Sequence, residues 1–174
     1  RRARRATVVV SAAMTDTPWL GDACSLVDAF RSGERSPTEE LEATLAAIER
    51  SELNAFVFDD EERARTAAAS ADTSLPFGGV PLAVKELDSV EGWPDTHASV
   101  PFADEIADHT STMVTRLRAA GAIPALQVTA SEFGGVNQTN TKLHGATPNP
   151  WNPGRTPGGS SRGSAAPVAG GVAS

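Results

Sequence analysis

Apolar positions recur at helical spacing in three early stretches. Over residues 18–33, Trp19, Leu20, Ala23, Leu26, Val27 and Phe30 fall on one face, and Gly33 supplies a stop. The stretch "SPTEELEATLAAIER" predicts a second helix. Ser36 is its cap, Pro37 takes the first helical position, and Glu39 is spaced to close a capping box. Leu41, Leu45 and Ile48 make its buried stripe. The short run "LNAFVF" (53–58) reads as extended. Residues 59–71, acidic first and alanine-rich later, predict a third helix whose acids suit its N-terminus.

The pattern then changes. "LPFGGVPLAVKEL" turns through Pro-Phe-Gly-Gly into an apolar strand, Val80–Leu87, interrupted by Lys85. The spacing predicts this strand buried on both faces. Residues 92–109 are irregular. "STMVTRLRAA" (111–120) predicts a helix ending at Gly121, and "AIPALQV" (122–128) a second buried strand. Strand, loop, helix, strand implies an α/β sheet. Residues 134–160 are rich in Gly, Asn, Thr and Pro, and so long a loop is a place for function. Residues 163–173 predict a last helix. The chain shows no internal repeat.

Charge divides the chain unevenly. Its 174 residues carry a formal −7, yet the first 13, "RRARRATVVVSAA", hold four arginines and no acid. The remainder holds 11 basic against 22 acidic residues, which disfavours a nucleic-acid partner. Residues 1–13 read as a non-native or disordered leader, and Met14 as the natural start of the domain at 14–174. No run of about 20 apolar residues exists to span a membrane. Cys24 is the single cysteine, so the chain holds no internal disulfide and a reducing cytoplasm is the expected setting.

Two segments carry candidate chemistry. Lys85 stands among apolar residues at a strand end, beside irregular loops, where α/β folds place ligands. The plain reading is a lysine whose stem lies on apolar surface. The alternative is that desolvation disfavours the ammonium, leaving an amine able to take a proton as a general base. The second segment is "TPGGSSRGSAAPVAGG" (156–171). It lacks the Gly-Lys-Ser/Thr ending of a phosphate-binding P-loop, and its glycines at 158, 159 and 163 miss the dinucleotide spacing. It is either a flexible turn or a pair of positioned hydroxyls fixed by the packing of the alanines that follow. A serine needs a base to move its proton, and Lys85 is the candidate partner.

Together these segments resemble the amidase signature family. "TPGGSSRGSAAPVAGG" is similar to its Gly- and Ser-rich signature and "GVPLAVKEL" to its lysine strand. "RLRAAGAIPALQVTASEFG" and "HGATPNPWNPGRTPGG" fall between them in family order, and "SPTEELEATLAAIE" with "LNAFV" matches the helical N-terminal portion. The resemblance runs from about residue 20 to the end. It implies an α/β fold with a mixed sheet flanked by helices, of which this is an N-terminal part with a helical start. It also implies cleavage of carbon–nitrogen amide bonds by a Ser–cis-Ser–Lys triad. Lys85 would be the base, and Ser160 the serine after a cis peptide bond, relaying the proton. Gly158, Gly159 and Ser161 would support the loop. The nucleophilic serine of the family lies in a further Gly-Gly-Ser element, and this chain is expected to stop before it; neither Ser164 nor Ser174 takes its place. Arg162 stands where the family commonly has glycine.

The resemblance calls for no metal and no organic cofactor. It implies a small-molecule amide substrate, with a homodimer open to the full-length protein. Two rival readings stand beside the hydrolase: an amide-transferring subunit that works on misacylated tRNA, and a non-catalytic chain, either a truncated product or a binding module that uses the Gly-rich loop for an anion. The remaining residues read plainly. His97, His109 and His144 lie scattered in loops without ligand spacing. Asn137, Gln138 and Asn140 are solvated amides or pocket lining. Trp93 and Trp151 are packing residues. The charge runs Asp59–Arg65 and Glu39–Glu42 are solvated helix faces.

Overall fold

The computed structural model describes residues 17–173. The proposed leader, 1–13, lies outside the described residues. The first helix, α1, is Ala23–Ser32, later than the apolar pattern suggests. Asp22 moves the start: its carboxylate accepts from the Cys24 and Ser25 amides, both at 2.9 Å, and Ser25 Oγ accepts from the Asp22 amide in return. Such reciprocal capping satisfies donors that the first turn leaves unpaired. Trp19 and Leu20 therefore precede the helix, and Leu20 is exposed. The second helix, α2, is Pro37–Glu49, and its Ser36–Glu39 capping box forms as the spacing predicts.

Strand β1 (Phe56–Asp59) leads into α3 (Glu61–Ala69). Strand β2 is Pro81–Lys85, α4 is Thr112–Ala119 and β3 is Ile123–Val128. The sheet runs in the order β1-β3-β2, with β1 antiparallel and β2 parallel to β3. It is mixed, as the resemblance implies. Leu41 and Leu45 of α2 and Ala64 and Ala68 of α3 pack against Ile123, Ala125 and Leu126 of β3. Val84 of β2 packs with Val114 of α4, Val90 and Trp93. α1 forms a smaller cluster with Val80.

The burial expected for β2 is not found. Only Val84 is fully buried and Lys85 is half-buried, because β2 is an edge strand of this sheet. The irregular region at 134–160 holds a two-stranded ladder, β4 (Asn140–Thr141) with β5 (Gly145–Ala146). The last helix, α5, is Arg162–Ala169, shorter than the run of small residues suggests.

Glu40 is not on a solvated face. It is fully buried on α2, paired with Arg35 at 2.5 Å, and accepts the Trp19 backbone amide at 2.9 Å. Arg35 also donates to Thr17 O at 2.8 Å. Positions 40 and 44 share the inward side of α2 with Leu41, so a carboxylate there must find a cation. In the other run, Asp60 accepts the Trp93 indole N–H at 2.7 Å. Trp93 packs as expected, with its ring centroid 5.4 Å from that of Phe58, whereas Trp151 is exposed.

Candidate active site

The parallel pairing of β2 and β3 brings the C-terminal ends of both strands to one edge of the sheet. Lys85 is the last residue of β2. Its Nζ lies 2.9 Å from Ser160 Oγ and 2.9 Å from Ser161 Oγ. The two segments singled out in the sequence, 75 positions apart, thus meet through hydrogen-bonding groups. The Gly159–Ser160 peptide bond is cis.

The serine turn is fixed from both sides. Gly158 takes φ of 101°, a conformation that side-chain-bearing residues rarely adopt. Past the serines, Gly163 lies so close to β3's extension that an added Cβ would sit 2.2 Å from Thr129 O. Its amide donates to that same oxygen at 3.2 Å. The Ser131 amide donates to Ser160 O at 3.4 Å. Ala166 is buried one turn later, so the alanine-rich helix anchors the turn as expected. Arg162 is buried, and Nη2 donates to Asn137 O at 3.3 Å. No carboxylate pairs with it among the described residues, and burial lowers its pKa.

A buried carboxylate that the sequence reading passed over sits beside Lys85. Glu86 accepts from the Ala130 amide at 2.5 Å and from Thr96 Oγ1 at 3.1 Å, and lies 2.8 Å from His144 Nε2. It ties the end of β2 to three loops. The chain from Ala130 to Ser131 then links this carboxylate to the backbone of Ser160. His144 is therefore no isolated loop histidine. The available signal was a second charge directly after Lys85 in an apolar strand.

The other candidates stay apart from this centre. His109 is exposed against Asp108, and the Asp108 pKa is lowered by that hydrogen bond. His97 stacks on Phe133, their centroids 5.9 Å apart. No cluster of metal-ligating side chains occurs among the described residues. Asn137, Gln138 and Asn140 are exposed. A cavity of about 250 Å³ opens beside the lysine, lined by Lys85, Ser161 and Ser164 with Leu82, Met113 and Leu117 as an apolar wall. A second cavity, of about 290 Å³ beside Trp93 and Arg118, contains none of the sequence-derived site residues. No described helix is long and apolar enough to cross a membrane.

A lysine amine thus stands within hydrogen-bonding reach of two serine hydroxyls, the geometry that proton transfer between such groups requires. The model of the Amidase family matches residues 39–174, and the chain belongs to that family. It is 40% identical over 156 residues to one subunit of the glutamyl-tRNA(Gln) amidotransferase from Lachnospira eligens, covering 84% of this chain and 32% of that protein. It is 41% identical over 153 residues to a 6-aminohexanoate-cyclic-dimer hydrolase from Pseudomonas sp. strain NK87, covering 85% and 31%. Among solved structures, a 6-aminohexanoate cyclic dimer hydrolase superposes with a TM-score of 0.83 at 37% identity, over 88% of this chain and 32% of that one. The chain spans about a third of the length of the curated relatives it matches.

Proposed function

We propose that this chain is the lysine–cis-serine part of a hydrolase that cleaves carbon–nitrogen amide bonds in small molecules. The observation that carries the reading is the 2.9 Å contact between Lys85 Nζ and Ser160 Oγ. Lys85 is the base. Ser160 hands it the proton of a third, nucleophilic serine that attacks the amide carbonyl. The same path returns the proton to the departing amine, and water then hydrolyses the acyl-enzyme. Gly158, Gly159 and Ser161 shape the turn that holds Ser160. Similarity to the cyclic-dimer hydrolase supports a small, freely diffusing amide as substrate. On this reading the full-length protein works in the cytoplasm, with a homodimer open to it.

The nucleophile is expected in a Gly-Gly-Ser element beyond residue 174. The purified 174-residue chain should therefore give no turnover of 6-aminohexanoate cyclic dimer or of simple anilides. A version extended through the matching segment of the cyclic-dimer hydrolase should gain turnover, and Lys85→Ala in it should abolish that gain. Amide hydrolysis by residues 1–174 alone, or an extended enzyme indifferent to Lys85, overturns the reading.

The equal similarity to an amidotransferase component supports a second reading, in which the complete protein releases ammonia from glutamine for a tRNA-linked acceptor. Glutaminase activity that depends on added partner proteins selects it. Hydrolysis of simple amides by the extended chain alone selects the first.

A further inference from the structure

Ser161 holds the N-cap position of α5, where a serine hydroxyl ordinarily accepts a backbone amide of the first turn. Here it makes no such bond. Its Oγ lies instead 2.9 Å from Lys85 Nζ, giving up a local stabilising contact for one to a residue 76 positions away. Ser161 is exposed, while Ser160 is half-buried. The cavity of about 250 Å³ is lined by Lys85, Ser161 and Ser164, and Ser160 is not among its walls. Leu82, Met113 and Leu117 give that cavity an apolar side against which a short acyl chain or an aryl ring fits.

We propose that Ser161, with Lys85 as its base, is itself a nucleophile toward activated acyl esters bound in this cavity. The proposal shares Lys85 with the amidase reading but needs neither a relay through Ser160 nor a third serine. In the step, Ser161 Oγ bonds to the ester carbonyl carbon and its proton passes to the Lys85 amine. The carbon–oxygen bond to the aryl group breaks, and the phenolate leaves with the electron pair. The ammonium then returns its proton to solvent, and water slowly hydrolyses the acyl-serine to the carboxylic acid. A phenolate departs without being protonated, whereas an amine cannot. Esters are thus within reach of a centre that leaves amides intact.

The test uses the 174-residue chain with p-nitrophenyl acetate, reading p-nitrophenolate release and locating the acetyl group by peptide mass spectrometry. The expected result is acetylation at Ser161, reversed by hydroxylamine as for an ester. Ser161→Ala should remove it. Lys85→Arg, which keeps a cation and its donors but cannot accept a proton, should slow it about 100-fold or more. Acetyl on Ser160 or on the Lys85 amine, no acetyl in the chain, or a rate untouched by Lys85→Arg overturns the proposal. Mapping the unsubstituted chain decides the point even if a variant fails to fold. Absent acetylation alongside amide hydrolysis by the extended chain would sink this proposal and leave the amidase reading standing. The converse result would do the opposite.

Discussion

The residues that matter most here are charged or hydroxylic groups whose partners lie far along the chain. Lys85 and Ser160 were legible because each stands out locally: a cation in an apolar strand, and hydroxyls after paired glycines. Glu86 was not, since the burial of a carboxylate shows only when Thr96, Ala130 and His144 arrive from three loops. A carboxylate with those partners holds its neighbours as much as they hold it. Glu86→Gln removes the charge; its one oxygen can keep the Ala130 amide, but its NH₂ then stands where Thr96 Oγ1 and His144 Nε2 now meet an acceptor oxygen. The substitution is expected to cost about 1–3 kcal/mol, the range for a buried group left badly paired. Urea unfolding of the two proteins checks this, and an unchanged midpoint would show that the carboxylate is not the tie.

At the scale of elements, an apolar stripe located α1, a capping box and stripe α2, and composition the other three, and errors fell at their ends. α1 was placed early because Trp19 and Leu20 continue its apolar pattern, while Asp22 decides the start through hydrogen bonds. The α2 cap carries a pH dependence. The Ser36 hydroxyl and amide both donate to the Glu39 carboxylate and lower its pKa below the ordinary 4.5. That contribution is fully present above the ordinary value and is lost as the pH falls through the lowered one. Glu39→Gln keeps the reach of the cap and loses the charge. The gap in urea midpoint between the two proteins should be widest near neutrality and close in acid; a constant gap would refute the assignment. The docking of α5 rests on close approach instead. Gly163→Ala puts a Cβ into the backbone of Thr129, and such overpacking costs about 1–3 kcal/mol. It should also part the serine turn from Lys85, seen as loss of the Lys85–Ser160 contact by crystallography.

Across the whole molecule, an α/β sheet followed from strand, helix, strand and its mixed character from the family resemblance, but the exposure of β2 followed from neither. A strand's apolar run shows that it can be buried, and only the strand order shows whether a neighbour covers it. The attachment of the N-terminal segment was equally hidden. α1 has its own small cluster with Val80, separate from the α2–α3–β3 core. Between the two units lies the Arg35–Glu40 pair, with Glu40 holding the Trp19 amide and Arg35 the Thr17 carbonyl. Removing one member of a buried ion pair breaks the pair and the hydrogen bonds that member holds, at about 3–5 kcal/mol. Glu40→Ala should therefore destabilise the chain by about that amount, a large part of the 5–15 kcal/mol typical of a domain. The loss should be local first. Amide hydrogen exchange at 17–35 is expected to speed up well before exchange at β3, because α2, α3 and β3 keep their own apolar contacts. Replacing both partners by apolar residues, Arg35→Met with Glu40→Leu, should recover most of the stability, since apolar side chains of similar volume carry no desolvation penalty there. If the single and double variants unfold alike, the pair is not what joins the N-terminal helix to the sheet.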